Sequence, residues 1–241
     1  MNLLKASLLS LGLVFLVVNC GSVDTVDSNS VRESDIHTSY RAEFHEDKND
    51  AEFRAQFRLG GSTGTTLKLI APSKVTLDGQ DMNLALGMNE FINVSGTRYV
   101  SAVPTNRAVG KHEFIWTKAN GDKIATTVEI MGPSELRLVD PNAKLTAGNR
   151  VVFAANPLKD DEKKRGITLT AGVTYRTANG WSTVRPNLDG NGNFSVALSD
   201  LKEISGSELE VMVTRDQYIS ESQRSISVDA FSKVIKVPVV K

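Results

Sequence analysis

Residues 112–130 read His-Glu-Phe-Ile-Trp-Thr-Lys-Ala-Asn-Gly-Asp-Lys-Ile-Ala-Thr-Thr-Val-Glu-Ile, and this stretch decides the fold class. His112, Phe114 and Trp116 occupy alternate positions, which is the period-two pattern of a strand with one face on a core. Asn120-Gly121 is a strong hairpin signal, because both central residues of a type I′ turn need positive φ. The stretch therefore predicts a β-hairpin whose return strand continues to its last residue.

The same alternation recurs on both sides of the hairpin. It is found at Phe53, Ala55 and Phe57, at Leu67 and Leu69, at Val75 and Leu77, at Val151 and Phe153, at Phe194, Val196 and Leu198, and at Leu209, Val211 and Val213. Turn-rich segments separate these runs. No segment after residue 20 has the pattern of a long amphipathic helix, and Leu84–Phe91 is the most ambiguous. Short strands without intervening helices predict an all-β chain of β-sandwiches rather than a parallel sheet.

A domain boundary is predicted at Met131-Gly132-Pro133-Ser134, because adjacent Gly and Pro punctuate structure. It divides the chain into residues 39–132 and 133–241, each about the size of one immunoglobulin-like domain. The sequence therefore predicts two β-sandwich domains in succession. In the second block, the charge run Lys159–Gly166 mixes both signs and predicts a solvated loop.

A local resemblance sharpens the assignment of the second block. A Gly-Asn-Gly-Asn turn after Asp189 leads into an alternating strand that ends at Leu198, and Leu201 and the alternating run Leu209–Thr214 follow. This order of turn and strand resembles bacterial immunoglobulin-like repeats. The resemblance implies an immunoglobulin-like sandwich for the second block, and alternation alone assigns the first block to the same class.

The composition excludes several classes of protein. The 241 residues are 40% hydrophobic, which is too apolar for a disordered polyelectrolyte, and 18 Gly with 7 Pro are too few for collagen. Lys and Arg number 28, Asp and Glu also number 28, and the pI is near 6.8. Because nucleic-acid binding rests on a clustered excess of Lys and Arg, no nucleic-acid partner is predicted.

The first 19 residues have the organisation of a secretory signal peptide. Lys5 supplies an early positive charge, and the apolar run Ala6–Val18 is too short to span a bilayer as a mature helix. The only cysteine of the chain, Cys20, stands where such a peptide would be cut. Residues 1–19 are therefore predicted to take no part in the fold.

The motif Val17-Val18-Asn19-Cys20 resembles the lipobox of bacterial lipoproteins, although Asn19 stands where that family usually has Gly, Ala or Ser. The resemblance implies cleavage before Cys20, a diacylglycerol on its thiol and an acyl group such as palmitate on the new N-terminus. Two or more such chains hold a protein stably at a membrane. By analogy with lipoprotein sorting in enteric bacteria, Gly21 in place of Asp points to the outer membrane. The alternatives are a plain secreted protein and a buried cysteine that happens to stand at this position.

Residues 20–38 are predicted to form a flexible tether. The segment is polar, with isolated valines, so it has too little apolar side chain to offset the entropy of ordering a chain. Its charged residues are Asp24, Asp27, Arg32, Glu33 and Asp35. We expect this tether to hold the folded body away from the membrane.

The inventory of catalytic side chains is poor. The three histidines, His37, His45 and His112, have no metal-ligand spacing, and the chain has no Gly-x-Ser-x-Gly elbow, phosphate loop or dinucleotide fingerprint. The sequence therefore predicts neither an enzyme nor a cofactor. A hydrolase would require a pocket that holds His112 within hydrogen-bond reach of a serine or a carboxylate.

The loop at Asp189 is the only segment with some likeness to a calcium loop. Asp189, Asn191 and Asn193 occupy alternating positions like the first ligands of such a loop, but Phe194 stands where Gly is needed for the sharp turn. These three residues are weak calcium candidates. A polar hairpin connection without a metal is the favoured interpretation.

Two tryptophans could form a platform for a sugar. Trp116 alternates with Phe114 and is assigned to the core. Trp181 follows Asn179-Gly180 and is expected to be partly exposed, so it is the candidate ligand-binding residue.

These patterns predict an outer-membrane lipoprotein, periplasmic or surface-exposed, that acts as a non-enzymatic binding or structural module. Its predicted partners are the membrane, through the lipid on Cys20, and an envelope protein or a glycan. Contacts would come from inter-strand loops or an exposed sheet edge. The first alternative is a carbohydrate- or peptidoglycan-associated module that uses Trp181. The second alternative is an envelope hydrolase with an unrecognised site.

Overall fold

The computed structural model describes residues 26–86 and 96–240. The predicted signal peptide, Cys20 and the first part of the predicted tether lie outside the described residues, as does most of the ambiguous segment Leu84–Phe91. Within the described ranges the chain is almost entirely β-structure, and each of its α-helices is about one turn long. The prediction of an all-β chain is confirmed.

The described residues form strands that follow one another closely, with two short helices between them. In chain order they are β1 (Val26–Asp27), β2 (Ile36–His45), β3 (Asp50–Leu59), β4 (Thr65–Lys68), β5 (Lys74–Leu77), β6 (Gln80–Asp81), β7 (Asn83–Leu86), β8 (Thr97–Pro104), α1 (Thr105–Ala108), β9 (Gly110–Thr117), β10 (Lys123–Ile130), β11 (Leu136–Leu138), β12 (Arg150–Ala155), α2 (Asp160–Lys164), β13 (Ile167–Thr177), β14 (Gly180–Val184), β15 (Asn193–Ala197), β16 (Ile204–Ser220), β17 (Arg224–Phe231) and β18 (Ile235–Pro238). Short 3₁₀ turns lie at Ser28–Ser30, Glu33–Asp35 and Leu198–Asp200.

One long sheet runs through the molecule in the order β1-β4-β3-β2-β17-β16-β13-β14. Strand β8 joins it beside β3 and carries β7, and β18 joins it beside β16. The sheet β10-β9-β5-β6 covers the half of the long sheet that contains β2 and β3, and we call this half sandwich one. The sheet β11-β12-β15 covers the half that contains β13, and we call this half sandwich two. The two sandwiches therefore share one layer.

Each sandwich has its own apolar core, built from the alternate residues of its strands. In sandwich one the rings of Phe57 and Trp116 lie 5.1 Å apart, and both side chains are buried. In sandwich two the rings of Phe153 and Phe194 stack with their centroids 5.0 Å apart. Offset or tilted aromatic pairs at these separations stabilise a core beyond the area that they bury.

The predicted hairpin is present, but its turn differs from the prediction. Strands β9 and β10 pair from Gly110 opposite Ile130 to Thr117 opposite Lys123. In the connecting turn only Gly121 has a left-handed φ, of 90°. A type I′ turn needs two such residues, so the predicted turn type was wrong.

The division at residue 132 misses one strand of sandwich one. Strand β17, from the second block, pairs in parallel with β2, and its Ile226, Val228 and Ala230 belong to the first core. The chain enters β17 from β16, which carries Leu209 into the second core, and returns through β18 to sandwich two. The domain range 133–241 therefore needs correction. The physical reason is that long-range strand pairing leaves no mark in the local alternation of the sequence.

The predicted tether over residues 20–38 is also too long. Val26 begins β1, which pairs in parallel with β4, and Val31 packs against the first core. Ile36 is buried, and it begins β2. The few apolar side chains of this segment cover an open end of sandwich one, so they bury more surface than their own composition suggests.

The charge run Lys159–Gly166 is partly ordered rather than a fully solvated loop. It contains α2, and Glu162 on this helix is buried. Arg215 Nη1 donates a hydrogen bond of 3.1 Å to Glu162 Oε1 and one of 3.4 Å to the carbonyl of Gly132. Through Arg215, the run is thus linked to Gly132, which lies in the connection between β10 and β11.

A search of the described ranges for a membrane-spanning helix returns nothing with the required length and apolar character.

Candidate functional site

The molecule has two opposite ends along the shared sheet. At the N-terminal end, β1 enters beside β4, and the turns at residues 60–64, 118–122 and 221–223 lie around it. At the distal end, the β13–β14 turn lies beside the start of β16, where Thr177 pairs with Ile204. Strand β16 has 17 residues, which corresponds to roughly 50 Å at the usual rise of a strand. The two ends are therefore separated by about the length of this strand.

Trp181 lies at the distal end, on the edge strand β14, and is 64% exposed. Ser182 pairs with the buried Tyr175 and faces the second core, so Trp181 faces solvent on the opposite side of the strand. It stands opposite Arg176 of β13. Trp116, in contrast, is 4% exposed inside the first core. Of the two tryptophans, only Trp181 is placed to contact a large ligand.

A row of polar side chains crosses four strands next to Trp181. Thr183 pairs with Thr174, and their hydroxyls lie 3.0 Å apart. Thr174 pairs with Glu210, and Glu210 lies 3.3 Å from Lys236 Nζ on β18. Side chains directly opposite one another on a sheet face are about 5 Å apart. The row and the indole ring therefore lie on one face of the sheet, which we call the distal face.

A cleft of about 530 Å³ lies at the N-terminal end of sandwich one. Its floor is apolar, because Ile36 and Trp116 reach it from the first core. Its rim is charged but balanced: Lys118 lies 3.0 Å from Glu33, and Arg224 is held by Glu221. The lining residues are Glu33, Ser34, Ile36, Thr38, Trp116, Lys118, Ile124, Glu221, Ser222, Gln223 and Arg224. A cleft of this size and balance could hold a small uncharged or zwitterionic group.

The hydroxyl of Tyr40 is buried close to this cleft. It makes no hydrogen bond of good geometry, although the hydroxyls of Thr126 and Thr38 lie near it. Burial raises the pKa of Tyr40, and these two hydroxyls partly offset the effect. Thr38 also lines the cleft. Its hydroxyl therefore lies between the cleft and the buried hydroxyl of Tyr40.

His112 is engaged in structural hydrogen bonds. Its Nδ1 lies 2.7 Å from Asp78 Oδ2, and its Nε2 lies 2.8 Å from the carbonyl oxygen of Ala108. Asp78 also accepts a hydrogen bond from the backbone N–H of Glu113. A carboxylate is thus within reach of His112, as the hydrolase alternative requires. However, His112 does not line the cleft, and both ring nitrogens already have partners, so it ties α1 and the β5–β6 turn to β9.

The other two histidines also make local contacts. His37 is buried, with Nε2 3.4 Å from Ser225 Oγ. The ring of His45 stacks on Phe231 at 4.2 Å, and burial lowers its pKa, with nearby Lys48 adding to the effect. Neither histidine is directed at a serine hydroxyl in an open cleft, which is the arrangement that nucleophilic catalysis needs.

The carboxylate of Asp189 organises its own turn. Its Oδ1 accepts hydrogen bonds from the backbone N–H groups of Asn191 and Asn193, and its Oδ2 accepts one from the Asn193 side chain. These hydrogen bonds, led by that from the Asn193 backbone, lower the pKa of Asp189. Both oxygens that a calcium ion would use therefore already face N–H donors. Over residues 26–86 and 96–240 no group of three His, Cys, Asp or Glu side chains is arranged to hold a metal.

The outer surface of the long sheet carries a charge network where the sandwiches meet. Arg41 lies 2.8 Å from Glu43 and 3.0 Å from Asp229. Asp229 pairs across the strands with Asp216. Burial raises the pKa of Asp216; a hydrogen bond of 2.9 Å from Thr170 opposes this shift, and the Asp229 carboxyl adds to it. Two carboxyl groups thus share a site on adjacent strands at the junction.

Sequence reasoning found Trp181 but missed both the distal face and the cleft. The distal face combines β13, β14, β16 and β18, and the cleft combines residues 33–38, 116–124 and 221–224. Asn179-Gly180 before Trp181 was the local signal for an exposed indole. No local signal exists for surfaces that distant segments assemble.

Comparison with known proteins assigns this chain to no family. No protein-family model matches the chain, and no curated protein matches it. Among solved structures, murine CEACAM1b is similar with 12% identity, over 84% of this chain and 100% of that chain, at a TM-score of 0.26. The 47-kilodalton lipoprotein Tp47 of Treponema pallidum is similar with 10% identity, over 85% of this chain and 49% of that chain, at a TM-score of 0.33. A titin I-band fragment is similar with 10% identity, over 85% of this chain and 64% of that chain, at a TM-score of 0.27. All three TM-scores lie below 0.5, so the β-sandwich architecture rests on the strands and cores of this chain itself.

Proposed function

We propose that this chain is a lipid-anchored protein of the bacterial outer membrane that acts as a rigid, non-enzymatic binding module, with Cys20 as its site of lipid attachment. The observation that carries the proposal is the shared sheet. Strand β16 belongs to both sandwiches, so the distal face is held at a fixed distance and angle from the N-terminal end. Rigid display of this kind suits recognition of a partner, because little ordering entropy is lost on binding.

Contacts at the junction support this rigidity. Arg165 of sandwich two forms an ion pair of 3.0 Å with Glu129 of sandwich one. Gln217 donates a hydrogen bond of 3.0 Å to the carbonyl of Arg165. The buried pair of Arg215 and Glu162 lies beside them. A flexible hinge between domains would have few such contacts.

The chemistry of the described side chains also favours binding over catalysis. The two ring nitrogens of His112 already face an acceptor each, and the oxygens of Asp189 face N–H donors. General acid–base work needs a group that is free to exchange a proton with a substrate. The cleft and the distal face instead combine apolar surface with paired charges.

The anchor is tested with a Cys20→Ala variant expressed in a bacterium with an active lipoprotein pathway. We expect the native chain to carry the mass of the lipid at its N-terminus and to fractionate with the outer membrane, and the variant to be soluble. Ser22→Ala is the matched control, because it changes a small residue of the same segment and leaves the thiol. An unmodified Cys20 in the membrane fraction would refute the proposed anchor.

The partner is tested by protease treatment of intact cells, followed by crosslinking of the native chain. Digestion would locate the chain on the cell surface, and protection would locate it in the periplasm. The crosslinked species would be an envelope protein or a glycan polymer. Turnover of peptide or ester substrates by the purified chain would instead support the hydrolase alternative.

A glycan is the second candidate, and the exposure of Trp181 favours it. Sugar rings stack on exposed indoles, and their hydroxyls would face the polar row of Thr183, Thr174 and Glu210. We expect retention of the chain on peptidoglycan sacculi to fall at least tenfold in Trp181→Ala. Tyr218→Ala is the matched control, because Tyr218 is 67% exposed on the same sheet but lies near the other end of β16. Equal retention of both variants would exclude the distal face.

A further inference from the structure

The N-terminal segment, residues 26–36, is docked across the end of sandwich one. Its first two residues pair with Leu67 and Lys68 of β4. The backbone N–H of Ile70 donates a hydrogen bond of 3.1 Å to Ser28 Oγ. Val31 then packs against the first core. The beginning of the segment is therefore part of the folded body.

The second half of the N-terminal segment is fixed to three further parts of sandwich one. Glu33 forms an ion pair of 3.0 Å with Lys118. The side chain of Gln223 donates a hydrogen bond to the carbonyl of Ser34. The backbone N–H of Gly60 donates one of 3.3 Å to the carbonyl of Asp35. These contacts tie the segment to the turns at residues 60–64, 118–122 and 221–223, which form the N-terminal end.

The docking leaves a very short link to the lipid attachment site. Only residues 21–25 separate Cys20 from Val26. Because a fully extended chain spans at most about 3.6 Å per residue, Val26 lies within roughly 20 Å of Cys20 whatever conformation the link adopts. The length of β16, roughly 50 Å, exceeds that reach. The folded body therefore has little freedom to turn over at a membrane surface.

We propose that the N-terminal end of sandwich one is a membrane-facing surface, and that sandwich two projects away from the bilayer with the distal face outermost. This inference rests on the proposed function, because it takes Cys20 as the lipid-bearing residue. The partner of the N-terminal end is the lipid headgroup layer. Trp181 is then displayed about one length of β16 farther from the bilayer than the turn at residues 60–64.

Charge attraction is not required for this orientation. At the N-terminal end Lys118 is paired with Glu33, Arg224 with Glu221, and Lys74 with Asp81. Paired surface charges exert little net field on anionic lipids, and salt screens what remains. We therefore expect the orientation to persist in vesicles of zwitterionic lipid and at high salt.

The experiment measures energy transfer from a dye on the protein to acceptor-labelled lipid in a vesicle. Ser62→Cys places the dye on a turn at the N-terminal end, and Asn179→Cys places it on the β13–β14 turn at the distal end; both positions are exposed. Cys20 is the only native cysteine and is consumed by the lipid, so each variant has one free thiol. The full lipidated chain is reconstituted into phosphatidylethanolamine–phosphatidylglycerol vesicles.

We expect transfer from position 62 to be several-fold more efficient than transfer from position 179. The matched control inserts about 30 Gly and Ser residues between positions 25 and 26, which adds a flexible span of roughly 30 Å. With this insertion the difference between the two positions should largely disappear. Slow hydrogen exchange at the backbone amides of Gly60 and Ile70, which donate to the carbonyl of Asp35 and to Ser28 Oγ, would independently report the docking.

Two results overturn the orientation. One is equal or reversed transfer from the two positions in a chain with the native link, and the other is fast hydrogen exchange at the backbone amides of both Gly60 and Ile70. A different result overturns the proposed anchor itself: an N-terminal mass without lipid, and failure of the chain to float with vesicles. The two failures are distinguishable, because the first occurs in a lipidated chain that is bound to the vesicle.

Discussion

Replacement of Glu162 by Gln tests how strongly the two sandwiches are joined. The side chains of Glu162 and Arg215 are 10% and 12% exposed, and their closest charged atoms lie 3.1 Å apart. At this separation two unit charges interact by about 5 kcal/mol in an effective dielectric of about 20. Loss of one partner of a buried pair costs about 3–5 kcal/mol, because the other charge is left uncompensated. Gln can still accept the 2.7 Å hydrogen bond from the Lys159 backbone. We therefore expect Glu162→Gln to lower the free energy of unfolding by about 3 kcal/mol, at the lower end of that range.

The assay is equilibrium unfolding in urea, followed by tryptophan fluorescence and by far-ultraviolet circular dichroism. We expect the midpoint to fall and the slope to stay constant, because the surface exposed on unfolding is unchanged. In a thermal melt, 3 kcal/mol corresponds to a decrease in Tm of about 6–12 °C for a chain of this size.

A double variant separates the buried charge from lost packing. Arg215→Met removes the opposite charge, so the double variant has no buried unpaired charge and should be more stable than Glu162→Gln alone. Glu129→Gln is the matched control, because its ion pair with Arg165 joins side chains that are 38% and 37% exposed and should contribute less than about 1 kcal/mol. A free energy of unfolding for Glu162→Gln within about 0.5 kcal/mol of the native value, or further destabilisation of that variant by Arg215→Met, would contradict a buried ion pair that stabilises the fold.

Three further predictions follow from the shared sheet, a tight turn and the carboxyl pair. Ending the chain at residue 223 removes β17 from the first core, so we expect sandwich one to unfold; persistent slow hydrogen exchange in β2 would contradict this. Gly192→Ala should cost about 2 kcal/mol or more, because φ is 81° and a Cβ would lie 2.2 Å from the carbonyl oxygen of Ala155. Gly190→Ala, with open space around it, is the control and should change the free energy of unfolding by less than about 0.5 kcal/mol. Asp216→Asn should raise the free energy of unfolding at pH 7 by up to about 1 kcal/mol, since the fold raises the pKa of this half-buried carboxyl. A raised pKa gives stability that is present at low pH and lost as the pH rises through the folded value, so the advantage of Asn should vanish toward pH 4, and a less stable variant at pH 7 would contradict it.

The hairpin of β9 and β10 could be predicted because its determinants are neighbours in the chain. Alternation fixes which side chains are buried, and Gly121 allows the reversal. The alternation at Phe53, Ala55 and Phe57 likewise identifies the buried face of β3. Local signals of this kind determine strands, their inward faces and the all-β class.

The shared sheet could not be predicted because partner choice is not local. Thr38 pairs with Arg224, and the intervening chain passes through every strand of sandwich two except β18. The alternation of Ile226, Val228 and Ala230 shows that β17 has a buried face, but the pattern does not determine which apolar layer this face packs against. The distal face and the cleft depend on the same long-range pairings, so the sequence revealed Trp181 without its surroundings.

The N-terminal segment shows why composition misjudges order when a segment has a surface to cover. Counted alone, residues 26–36 are polar and should remain disordered. However, β4 offers a strand edge with which β1 pairs, Val31 packs against the first core, and Ile36 belongs to that core. The stabilisation therefore comes from apolar surface on the segment and on sandwich one. The composition of the segment reveals only the first of these two surfaces. The same contacts determine how far the proposed anchor at Cys20 would let the body move, because each docked residue shortens the link by about 3.6 Å of reach.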